Sequence, residues 1–105
     1  MLAPTVFTRR LREIRLRMGL SQKALGMKIG IDQFSASPRM NQYERGRHLP
    51  DLLTIENLAA VAGVPVPYFF TQDEDLAEIL ILWKQMNEKG QEKLLIAARN
   101  LVTFD

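Results

Sequence analysis

Four glycines, Gly19, Gly30, Gly46 and Gly63, each close a segment whose apolar residues recur at helical spacing, and this punctuation limits the chain to a succession of short helices. The first helix carries Phe7, Leu11, Ile14 and Met18 on one face and arginines on the others. Ser21 is placed to cap a second helix of about two turns, with Ala24, Leu25 and Ile29 facing inward; a helix so short draws its stability from packing. Asp32 caps a turn, and Ser37 caps a third helix with Pro38 at its first position, where a missing N–H costs nothing. Met40 and Tyr43 then face inward, while Arg39, Asn41 and Gln42 face out. Asp51 caps a fourth helix with the apolar stripe Leu52, Ile55, Leu58, Ala59 and Ala62, and the turn from Val64 to Phe70 seals the core with Tyr68, Phe69 and Phe70.

Beyond Phe70 the pattern changes. Thr71 and Glu74 have capping-box spacing, and the acids Asp73 to Asp75 suit the positive end of a helix dipole. The helix that follows, to about Met86, groups Leu76, Ile79, Leu80 and Trp83, but Ala77, Ile81 and Leu82 extend its apolar surface well beyond one face. Asn87 to Gly90 breaks the chain, and residues from Gln91 to about Thr103 form a last helix with Leu94, Leu95, Ala98, Leu101 and Val102 apolar. The expected fold is therefore all-α, a five-helix domain over residues 1–70 followed by a helical hairpin over 71–105. The hairpin has more apolar surface than it can hide alone, so Leu76, Ile79, Leu80, Trp83, Leu94 and Leu101 are candidates for a homodimer contact.

Charge separates the same two parts. Residues 1–50 carry ten basic side chains against three acids, a net of +7, whereas residues 51–105 carry four against nine, a net of −5. The whole-chain value of +2 hides this polarity, which fits one half meeting phosphates and the other meeting water or protein. With 47% hydrophobic and 25% charged residues the composition is that of a folded domain. No apolar run resembles a signal peptide or a membrane span, and a cytoplasmic, nucleoid-associated location is expected, with no membrane partner. Cysteine is absent and His48 is the only histidine, so no catalytic triad, metal site or cofactor is expected.

The stretch GLSQKALGMKIG, followed by RMNQYERGRHLP, reads as two short helices joined by a turn, the arrangement that lays one helix in a DNA groove while the other braces it. Together with LREIRLRMGLSQ before it, and IENLAAVAGVP and YFF after it, this stretch resembles the lambda-repressor-like, Xre-type helix-turn-helix family. The resemblance implies a compact five-helix fold, dimeric binding to double-stranded operator DNA, and no catalysis. One departure stands out: Gly30 and Glu44 are fourteen residues apart where the family has about ten, so IDQFSASP holds about one extra helical turn, either lengthening the third helix or forming a loop. Pro38 argues for a break.

Carried over residue by residue, the resemblance places Gln22 at a phosphate, with Lys23 assisting, and Arg45 and Arg47 on the DNA backbone. Ser37, Arg39, Asn41 and Gln42 match or neighbour the positions that meet base edges, and Arg, Asn and Gln suit that task through bidentate pairing with guanine or adenine. Glu44 is expected to pair with an arginine of the first helix. Two functional classes follow. One is a transcriptional regulator, a repressor acting as a dimer; the alternative is an antitoxin-type interaction module whose C-terminal hairpin takes a protein partner while DNA binding gives autoregulation.

Overall fold

The computed structural model describes residues 5–103, which are all-helical, with no strand among them. In chain order these are α1 (Val6–Arg17), α2 (Gln22–Lys28), α3 (Ala36–Glu44), α4 (Leu52–Ala62), a 3-10 turn (Val66–Phe70), α5 (Glu74–Gln85) and α6 (Glu88–Leu101). The four stop glycines all adopt positive φ, from 70° to 94°. The side chains of Ser21 and Asp51 cap α2 and α4 by accepting from the Ala24 and Thr54 N–H groups, as their positions predict. At α1 the sequence reading missed a cap: Thr5 and Thr8 bond reciprocally, side chain to backbone, at its start.

One core joins α1, α2, α3, α4 and the 3-10 turn. Phe7, Leu11, Ile14, Leu25, Met40, Ile55, Leu58, Tyr68 and Phe69 are all buried in it. The closest approach is between α2 and α3, where Gly26 lets the helices meet; a Cβ there would lie 2.9 Å from the Ala36 Cβ. Two expected core residues fall outside. Leu52 is exposed because it stands at the first position of α4, before that helix reaches its neighbours, and Phe70 is half exposed although its ring still leans on Phe7 at 5.8 Å.

Several boundaries differ from the sequence reading. Helix α3 begins at Ala36 rather than after Ser37, so Ser37 caps nothing and Pro38 is the third helical residue. The first turn of a helix has no intrahelical partner for its N–H groups, so proline there loses no bond. The capping box of Thr71 and Glu74 does not form: Asp73 caps α5, Thr71 Oγ1 donates to the Pro67 carbonyl, and Glu74 is drawn to arginines of α1. The last helix starts three residues early, at Glu88, because Asn87 caps it by accepting from the Gly90 N–H. Gly90 therefore lies inside its first turn.

Helix α5 is fastened to the domain by Arg10, whose side chain is only 2% exposed. Its guanidinium donates to the carbonyls of Thr71 at 2.9 Å and Gln72 at 3.1 Å, to Glu13 at 3.0 Å and to Glu74, and lies 5.5 Å from the Tyr68 ring. Burial opposes this charge, but the two carboxylates outweigh it and hold the pKa above the usual arginine value. Arg9 adds a third bond to Glu74 beside the two from Arg10. The side of α5 that packs inward is Ala77, Leu80 and Ile81, which leaves Leu76 and Ile79 exposed. Beyond the corner at Met86 and Asn87, α6 buries no residue, and the molecule is drawn out to 57 × 30 × 22 Å.

Candidate nucleic-acid interface

Helix α3 presents its outer surface because its inner one is fully committed. Ala36, Met40 and Tyr43 recur along the core side, which turns Ser37, Arg39 and Gln42 to solvent and leaves Asn41 half-buried at the edge facing α2. Arg45 and Arg47 lie exposed at the C-terminal end of the same helix, on either side of Gly46, and Lys23 is exposed on α2. Of the sequence-predicted site residues other than the dimer candidates, Gln22 and Asn41 are brought into contact across α2 and α3, Arg39 and Gln42 share one groove, and Lys23, Ser37, Arg45 and Arg47 are exposed.

A polar network locks this surface. Glu44 forms a two-pronged ion pair with Arg15, at 2.6 Å to Nε and 3.0 Å to Nη2, and Arg15 also donates to the Leu20 carbonyl at 2.9 Å. The hydrogen bond with Glu44 outweighs burial and keeps the Arg15 pKa above its usual value. Gln22 bridges the two helices, its Nε2 donating to Asn41 Oδ1 and to Glu44 Oε1, both at 3.3 Å. Both amide hydrogens of Gln22 are therefore engaged, and Asn41 is held in a defined orientation.

On the other flank Arg39 lies in a polar groove with Gln42, His48, Asp51 and Thr54. The carboxyl of Asp51 is held below its usual pKa, first by the Thr54 hydroxyl, then by the Thr54 N–H, and further by the charge of Arg39. Asp32 is lowered in the same way by Ser35 and the Phe34 N–H, with Arg39 again contributing.

Sequence reasoning passed over three things here. Arg9, Arg10 and Arg15 counted toward a basic surface, yet each is paired with a carboxylate, so the positive face is carried by other side chains. The Gln22 to Asn41 bond is a contact between helices that no local spacing reveals. Phe34, in the turn before α3, is 83% exposed. The turn at Asp32 was legible, and the outward direction of the residue two places on follows only once that turn is known to continue into the helix.

Comparison with known proteins agrees with this architecture. The family described as "Helix-turn-helix domain" matches residues 6–67, from α1 to the 3-10 turn. Over 102 residues the chain is 26% identical to the cryptic phage CTXphi transcriptional repressor RstR of Vibrio cholerae, covering 92% of this chain and 88% of that protein. The crystal structure of transcriptional regulator BswR is similar with a TM-score of 0.82 and 42% identity, covering 89% of this chain and 92% of that one. The likeness to both regulators extends past the matched domain into α5 and α6, and neither is named as an enzyme. On the residues matched and the fold they adopt, the chain belongs to the helix-turn-helix domain family as an Xre-like, DNA-binding transcriptional regulator.

Proposed function

We propose that the protein is a repressor that binds operator DNA as a homodimer in the cytoplasm, with α3 in the major groove. The observation that carries this is the outer surface of α3, where Ser37, Arg39, Asn41 and Gln42 stand together while the core and the Arg15–Glu44 pair fix the helix behind them. Ser37, Arg39, Asn41 and Gln42 meet base edges, and Lys23, Arg45 and Arg47 hold phosphates on either side. Gln22 acts first by orienting Asn41; its contact with phosphate falls to its backbone N–H at the start of α2.

Dimerisation through α5 and α6 is supported by the apolar side chains they leave in water. Leu76, Ile79, Leu82, Leu95, Ile96 and Leu101 are all exposed, and Leu80, Trp83 and Leu94 are only part-buried. A second copy covering them removes that surface from water and sets two α3 helices for an inverted repeat, half-sites about 10 base pairs apart. The likeness to a phage repressor over nearly the full chain supports repression. Selecting bound duplexes from random DNA, followed by footprinting, tests the whole: paired, inverted half-sites are expected, and single asymmetric footprints contradict a two-fold dimer.

A further inference from the structure

The turn that precedes α3 extends the reading face of that helix by one apolar residue. The Asp32 carbonyl accepts from the N–H groups of Ser35 at 3.1 Å and Ala36 at 2.9 Å, so residues 33–35 form a single hydrogen-bonded turn that leads directly into α3. The Asp32 carboxylate reinforces the turn, accepting from the Phe34 N–H at 2.9 Å and the Ser35 N–H at 3.1 Å. Along the turn and the helix Phe34, Ser37, Pro38 and Asn41 follow one another at helical spacing, opposite the buried Ala36, Met40 and Tyr43. An isolated exposed phenylalanine carries no message by itself. This one stands on a braced turn, in line with Asn41, at the end of the helix whose N-terminal residues approach base edges.

We propose that Phe34 is a specificity-determining residue that packs against the 5-methyl group of a thymine in the major groove. Within the groove that methyl is the apolar feature that base edges present, so an apolar side chain continuous with polar base readers selects thymine. The pyrrolidine of Pro38, one turn on, lines the same path. Arginines at the far end of α3 bring the phosphates close enough for the contact to form. The inference rests on the reading that α3 enters the major groove, and it adds a thymine at the edge of each half-site, beyond the bases met by Asn41 and Gln42.

The test compares the full chain with Phe34→Ala on the duplex that the unmodified protein selects from random DNA, replacing each thymine in turn by deoxyuracil, which removes the methyl alone. At one thymine per half-site the unmodified protein should lose about fourfold in affinity, the worth of one buried methyl. Phe34→Ala should show a similar loss on the thymine duplex and no further loss on deoxyuracil. Because Phe34 is solvent-exposed its replacement leaves the core intact, which thermal unfolding checks. Insensitivity of the unmodified protein to every deoxyuracil, or a drop from thymine to deoxyuracil in Phe34→Ala as large as in the unmodified protein, overturns the assignment of Phe34 while a selected sequence still supports α3 as the reader. If selection enriches no sequence, both the assignment and the reading beneath it fall.

Discussion

At the scale of single residues, the fold and the interface meet in Glu44. Its carboxylate is 6% exposed and Arg15 is 12% exposed, and removing one member of such a pair strands the other. Glu44→Ala should therefore cost about 3–5 kcal/mol in denaturant unfolding and loosen Gln22 and Asn41 with it. An unchanged unfolding midpoint would show that the pair is dispensable. Gly26 gives a second, steric case. Gly26→Ala drives a methyl against Ala36 and Met40, and overpacking of this kind costs about 1–3 kcal/mol. Amide exchange should show the destabilisation concentrated in α2 and α3; a gain in stability, as expected for alanine in an open helix, would mean that the two helices can part freely.

Among the elements, α5 is the one whose seat depends on charge. Glu74 has a pKa below its ordinary value because of Arg9 first and Arg10 second. A carboxyl lowered in the folded state contributes stability above its unfolded value, and that contribution is lost as pH falls through the folded value. Acidification from neutrality to below the ordinary value of 4.5 should thus loosen the start of α5 before the core of α1 to α4 yields. Hydrogen exchange along α5 across that range measures it, and Glu74→Gln should reduce the pH dependence of this segment, leaving what the Asp73 cap and Glu13 contribute. The same clasp shows why some elements were legible and others were not. Helices α1, α2 and α4 end in glycines, α2 and α4 start at local caps, and local signals sufficed for them. The start of α3 was misplaced because proline is as free of bonding duties at the third helical position as at the first. The start of α5 was misread because Glu74 answers to Arg10, sixty-four residues away, rather than to Thr71. Leu52 and Phe70 are apolar and correctly spaced, yet exposure is decided by where neighbouring elements end.

Across the whole molecule, charge and shape divide the labour. The basic half holds the helix-turn-helix surface, and the acidic half supplies α4 and the 3-10 turn to the core before running out through α5 and α6 as an arm, in a molecule 57 Å long. The candidate residues for bases and phosphates could be named from sequence because they belong to one motif; on the arm the expected Leu76 and Ile79 are exposed, but Leu80 packs inward beside Ala77 and Ile81, because spacing alone does not show which side of α5 meets the domain. If that face joins two copies, Ile79→Glu combined with Leu95→Glu should convert a dimer to a monomer in sedimentation and weaken operator binding far more than binding to unrelated DNA. A monomer before substitution would rule out the arm as a dimer interface. The most direct trial of the central claim, that α3 reads and its flanks grip, is a set of binding isotherms on the selected duplex and on a scrambled one at several salt concentrations. Gln42→Ala and Arg39→Ala should cost about 1–3 kcal/mol on the selected duplex alone. Arg45→Ala and Arg47→Ala should weaken both duplexes alike and lower the salt slope by about one unit for each phosphate no longer neutralised. Base preference left intact by Arg39→Ala and Gln42→Ala would contradict the placement of α3 in the groove.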